Sequence, residues 1–165
     1  MGIFPNSIYN AVKSALEGSS HLSYVDKIVI QKFRLGNLPT FDHHCIIISP
    51  SFIQAVTYGV AQKYFENSMH LHLLVVMTTY GEEDAIIADE PTATPPNVGI
   101  LPMFEDVFTT LFENNLGGEV NLIPGMAEFD QPSFFEVVTE EEQEGFLMTA
   151  RLEYRPKGVR FLSPL

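Results

Sequence analysis

The sequence is short of three things, and each absence narrows the reading. Cysteine occurs once, at Cys45, so an intrachain disulfide is excluded and a reducing compartment is the simplest expectation. No apolar run approaches the roughly 18 residues that a membrane-spanning helix needs, and the densest one, residues 71–77, already contains His72. Basic side chains are missing from residues 64–150, which hold 17 Asp/Glu and neither Lys nor Arg. The flanks are mildly basic: residues 1–63 carry a net +2 and residues 151–165 a net +3, so the formal charge of −12 is a −17 block between two basic ends. Such a chain is poorly suited to gripping nucleic acid, where affinity comes from Lys and Arg neutralising phosphates. It still suits a surface that DNA must pass without sticking.

What is present favours one packed domain over residues 1–165. An apolar fraction of 45%, with 12% aromatic and 18% charged residues, is enough to bury a sizeable core and excludes a disordered or low-complexity chain. No cationic segment precedes a hydrophobic one at the start, so no secretory signal is expected. Asn6 stands where a myristoylation pattern requires Ser or Thr.

Hydrophobic spacing predicts a helix over residues 7–18, where Ile8, Val12 and Leu16 recur at i, i+4, i+8 and Gly18 supplies a stop. Strands are expected at 24–33, 45–48 (closed by Ser49-Pro50), 60–65 and 70–80, the last dense enough in apolar residues to be central with both faces covered. Residues 81–98 read as a long acidic, Pro-rich loop. A second helix is expected over 99–115, with Pro102 in its first turn and Gly117-Gly118 as its end. Strands at 119–123, 134–138 and 146–154 follow, with an acidic hairpin tip at 139–145. Strands succeed strands directly, which predicts an α+β fold: a mostly antiparallel sheet of five or six strands, with two helices packed on one face.

The search for chemistry returns little. His43-His44-Cys45 and His70-Leu71-His72 could supply zinc ligands if neighbouring strands brought His44 or Cys45 opposite His70 and His72. The spacing matches no H-E-x-x-H or C-x-x-C pattern, and half-buried strand histidines are the plainer expectation. There is no G-x-S-x-G elbow, P-loop or G-x-G-x-x-G. Cys45 leads into Ile46-Ile47-Ile48 and reads as a core residue. No catalytic residue, cofactor or metal is therefore expected. The features that remain are charged ones. The acids Glu82, Glu83, Asp84, Asp89 and Glu90 charge the long loop, and Glu140, Glu141 and Glu142 read as a solvated hairpin tip. Arg151, Arg155, Lys157 and Arg160 are candidate subunit-contact bases.

The layout as a whole has a likeness. An opening amphipathic helix leads into a strand and then the segment Leu38-Pro39-Thr40-Phe41-Asp42-His43-His44-Cys45-Ile46-Ile47-Ile48-Ser49-Pro50. A long apolar strand, a helix ending in Glu113-Asn114-Asn115-Leu116-Gly117-Gly118 and a closing Met148-Thr149-Ala150-Arg151-Leu152-Glu153-Tyr154 strand complete it. Over about residues 3–157 this resembles the tail-terminator (tail-completion) and related neck proteins of tailed bacteriophages. The resemblance implies a non-enzymatic virion subunit, assembled in the host cytoplasm into a ring, commonly a hexamer. Such a ring caps the tail tube and provides the surface that joins the head. Its partners would be further copies of itself, the tail-tube protein and a head-completion or connector protein, with DNA only as passing cargo and no membrane. On that view, acids from 81–98 or 140–144 would line the channel, which makes Glu82, Glu83, Asp84, Asp89, Glu90, Glu140, Glu141 and Glu142 candidate channel-lining or subunit-contact residues. Other readings stay open: a head-completion or connector-stopper subunit, a small metal-dependent enzyme using His44, His70 and His72, or a monomeric binding module.

Overall fold

The protein was analysed as a computed structural model. It describes residues 5–58, 62–77, 81–111, 114, 116, 120–122, 128–129, 133–137 and 143–156, with side chains described for 8–51, 68–77, 81–111, 114, 116 and 144–152.

The first helix, α1, spans Pro5–Glu17. Pro5 fits its first turn because the N–H it lacks would have no partner there. Ile8, Val12 and Leu16 form the expected stripe and are buried. The Gly18 N–H closes the helix by donating to the Ser14 carbonyl. Strand β1, Lys27–Ile30, is shorter than the sequence predicts. Tyr24 is instead buried ahead of it, and Phe33 leaves it to stack on His72.

Strands β2 (His44–Tyr58), β3 (Gln62–Val76) and β9 (Gln143–Pro156) are the long members of the sheet. The sequence predicts an end to β2 at Ser49-Pro50, yet the strand continues. A register shift between Pro50 and Phe52 accommodates the proline, as a bulge can where an uninterrupted ladder cannot. Likewise the two strands expected at 60–65 and 70–80 are one. Asn67 and Ser68 look like a break in the sequence, but both are in register with neighbours in β2 and β9.

The sheet order is β1-β2-β3-β9, so β3 is central as expected. The outer edge of β9 pairs in succession with β8 (Ser133–Val137), β7 (Glu128–Phe129) and β6 (Val120–Leu122), three short strands occupying one position. Every pairing is antiparallel except β1 with β2. That parallel pair requires a crossover of about a dozen residues. Residues 31–43 supply it without a helix, and Phe33, Leu38 and Phe41 pack on Cys45, Ile47 and Leu74.

The opposite face of the sheet carries the main core. Rows such as Ile46–Leu73–Met148 and Ile48–Leu71–Ala150 meet α1 and a later helix, α3 (Ile100–Leu111), through Ile8, Val12, Leu16, Ile100, Met103, Val107 and Leu111. The class is therefore α+β, with both expected helices on one face. Pro102 lies in the first turn of α3, as predicted. The helix ends earlier than residue 115, and its left-handed exit residue is Leu116, at φ 50°. The Asn114 side chain braces that exit, accepting the Leu116 N–H at 2.8 Å. Gly117 and Gly118, the expected stop, lie outside the described residues.

Segment 81–98 is more ordered than a loop. It contains α2, Glu82–Ile87, and a small antiparallel ribbon of β4 (Asp89–Glu90) and β5 (Asn97–Val98). Glu82, Glu83 and Asp84 occupy the first turn of α2, where negative charge meets the positive end of the helix dipole.

Candidate functional site

The acidic segment is fastened to the core by a short series of polar contacts, of which the His44–Val98 bond is buried. Asp26 begins it: its Oδ2 accepts the backbone N–H groups of His43 at 2.6 Å and His44 at 2.8 Å, fixing the start of β2. His44, buried on the helix-covered face, then reaches the Val98 carbonyl with Nε2 at 2.8 Å. A carbonyl only accepts, so Nε2 carries the proton. The other ring nitrogen, Nδ1, is buried without a hydrogen-bond partner. Burial holds the imidazole below its ordinary pKa, opposed by the Val98 bond and the charge of Asp26, so the neutral ring belongs to the native state.

The Tyr24 ring meets His44 edge-on at 5.0 Å, and its hydroxyl donates to Asp106 Oδ2 at 2.8 Å. Burial raises the phenol pKa, and the Asp106 carboxylate raises it further. Asp106 is itself pushed upward by burial, against the pull of the Tyr24 hydrogen bond, with the charge of Asp89 adding to the rise. A second fastening lies at Gly99. Its N–H donates to the Ala88 carbonyl at 2.7 Å, and a Cβ there would overlap the backbone of Ile86 and Ile87. Only glycine permits so close an approach. Buried Asn97 completes the set, its amide reaching Asp84 Oδ2 at 3.4 Å.

The result is an acidic surface held against the core. Glu82, Glu83, Asp89 and Glu90 are exposed and Asp84 is half-buried. Glu105, on α3, is also exposed. The start of β9 adjoins this region: the Glu144 carbonyl accepts the Met77 N–H at 2.8 Å, and α2 contacts β9. The acids of 81–98 and the exposed Glu144 thus share one end of the sheet. Glu140, Glu141 and Glu142 lie outside the described residues.

The basic candidates fall elsewhere. Arg151 is half-buried on the crossover-covered face, in the register row Ser49–His70–Arg151–Glu128. Arg155 pairs in register with Asn121 near the far end of β9, its side chain outside the described set. Lys157 and Arg160 lie outside it altogether. Strand β9 therefore leads from the acidic end of the molecule toward the basic sequence that follows it.

The three-histidine metal site is corrected by strand register. His44 is opposite Val75, on the helix face, whereas His72 and His70 are opposite Ile47 and Ser49, on the other face. Residues one apart on a strand point to opposite sides, so the sheet itself separates His44 from the pair. His72 is engaged by Phe33, stacked at 4.0 Å, and by Thr149 Oγ1, 3.1 Å from Nδ1. Among the described residues no group of three His, Cys, Asp or Glu is placed to hold a metal. Cys45 is buried, and burial pushes its thiol up to about 12, far from a reactive thiolate.

Sequence reasoning missed Asp26, Tyr24, Gly99 and Asp106, because each acts through a partner distant along the chain. It also missed two exposed apolar residues at the junction of α2 and α3, Ile87 (54% exposed) and Leu101 (39%). Compared with protein-family models and with curated proteins, the chain matches none.

Proposed function

We propose that the protein is a structural, ring-forming subunit of a bacteriophage tail or neck, best read as the tail terminator that caps the tail tube and presents the head-joining surface. The observation that carries this reading is the uneven distribution of charge along the sheet. Acids gather where β3 ends and β9 begins, and the basic sequence follows the opposite end of β9. A subunit polarised in this way is complementary to the next copy head to tail, and a heterologous contact repeated around a rotation axis closes into a ring. Acids left uncovered by the neighbour would face the channel and repel passing DNA. The absence of Lys and Arg from residues 64–150 fits that use, and so does the layout resemblance.

The test is co-assembly with tail tubes. Tubes polymerised with the protein should carry it at one end and stop growing there. Tubes coated along their length, or left bare and still growing, would overturn the reading.

A further inference from the structure

Segment 81–98 is folded largely on itself. Its far end is closed onto α2 by the Gly99 N–H on the Ala88 carbonyl and by the Asn97 amide on Asp84. The turn of its ribbon is held by the Ala93 N–H on the Glu90 carbonyl. Gly81, at φ 95°, precedes α2, and Gly99 follows β5, so a glycine bounds each end. Toward the rest of the molecule the segment sets Ala85 and Val98 into the main core, with Ile86 beside them, and Val98 accepts the His44 hydrogen bond. A unit that keeps its own hydrogen bonds and docks through a small apolar face can open while the sheet stays folded.

His44 is placed to govern that opening. Its backbone is fixed, because Asp26 holds its N–H and β2 lies between β1 and β3. Its ring meets Val98 at Nε2 and the Tyr24 ring edge-on, and Tyr24 is tied back to α3 through Asp106. A proton taken up at Nδ1 makes a buried cation whose new N–H has no acceptor among the described residues, a costly state for a polar group. The Val98 carbonyl gives no relief, since Nε2 already donates to it. Relief requires water at the ring, and segment 81–98 is the cover that can leave with its own hydrogen bonds intact. We propose that this segment is a latched flap: His44 holds it closed through Val98, and protonation of His44 opens it as a unit, carrying the exposed acids of α2 and β4 away from the core. The latch stands whether or not copies of the chain form a ring.

The charged groups nearby set the balance. Asp26 favours the protonated ring, and His43, its ring centre 6.4 Å away, opposes it. On α3, Asp106 is raised by burial and further by Asp89 of β4. Opening takes Asp89 away, so protonation of Asp106 favours the closed flap, against the effect of His44. Removing the histidine separates the two.

Amide hydrogen exchange of the full-length protein between pH 7.5 and 5.5, corrected for intrinsic rates, tests the latch. The amides of Ala85, Ala88 and Ala93 should exchange through an opening that leaves those of residues 45–48 and 71–75 protected. That opening should become more frequent as pH falls, by up to about tenfold over this range, because the open form gains one proton. H44Q, which keeps a donor for Val98, should abolish the rise, and H43Q should retain it. A85S, which weakens the docked face of α2, should increase opening at every pH and retain the rise. Exchange of flap and sheet amides in one common event, a flap indifferent to pH, or a rise that survives H44Q would each overturn the proposal. Should H44Q not fold, wild type and A85S decide, since absence of the rise in either overturns it.

Discussion

His44 is buried with its Nε2–H committed to the Val98 carbonyl and its Nδ1 facing no partner, so the native state holds it neutral and a proton must be refused. Its pKa is lower folded than unfolded. Below about pH 6.5 the unfolded chain binds a proton that the folded one does not. The stabilisation is complete above that value and is lost as pH falls through it, with a slope of at most about 1.4 kcal/mol per pH unit. Thermal melts between pH 7.5 and 5.5 should show this loss, and His44→Gln, which keeps a donor for Val98, should flatten it. Asp106 is shifted in the opposite sense for a carboxylate: its raised pKa adds stability at lower pH, and that contribution fades as pH rises. The difference between wild type and His44→Gln therefore isolates the histidine. Tyr24→Phe removes the donor to Asp106 and should cost about 1–2 kcal/mol in denaturant titration. Gly99→Ala forces a Cβ into the backbone of Ile86 and should cost about 2 kcal/mol, with loss of protection at the amides of α2 in hydrogen exchange.

Elements were legible where the pattern is local and failed where a partner strand decides. Ile8, Val12 and Leu16 announce α1, and the apolar residues from Ile100 to Leu111 announce α3. Helical spacing puts Ile100, Phe104, Val107-Phe108 and Leu111-Phe112 on one apolar stripe, and Ile100, Val107 and Leu111 are buried as that predicts. Phe104 and Phe108 are half-buried, while Met103 is among the fully buried residues. β2 and β3 were cut short in the sequence reading at Pro50 and near Asn67, because neither the bulge nor the pairing that carries the chain through is visible in one strand alone. The short helix α2 hid in an acidic stretch that composition assigns to a loop. Of the candidate site, the acids 82–90 were legible as charge. The crossing of faces that separates His44 from His70 and His72 required the register. Packing yields a further contrast: Leu16→Ala, within the core between α1 and the sheet, should cost about 2–5 kcal/mol. Leu101→Ser, exposed on α3, should change stability by less than about 0.5 kcal/mol. A melt of the two variants side by side separates core from exposed surface.

At the scale of the whole molecule, the sheet acts as a ruler between unlike ends. The −17 block is not spread evenly; α2, β4 and Glu144 concentrate part of it at one end of β9, and the basic sequence follows the other. Contacts built from exposed charges weaken as salt screens them, so an assembly held this way should loosen at high ionic strength and reform on dilution of salt. Light scattering of the purified full-length protein, coupled to negative-stain imaging of the same fractions, tests the central claim most directly. Rings of one defined subunit number, each an integral multiple of 18.5 kDa with an open centre, are the predicted result. Open filaments, or a monomer that persists at every concentration and salt, would contradict it.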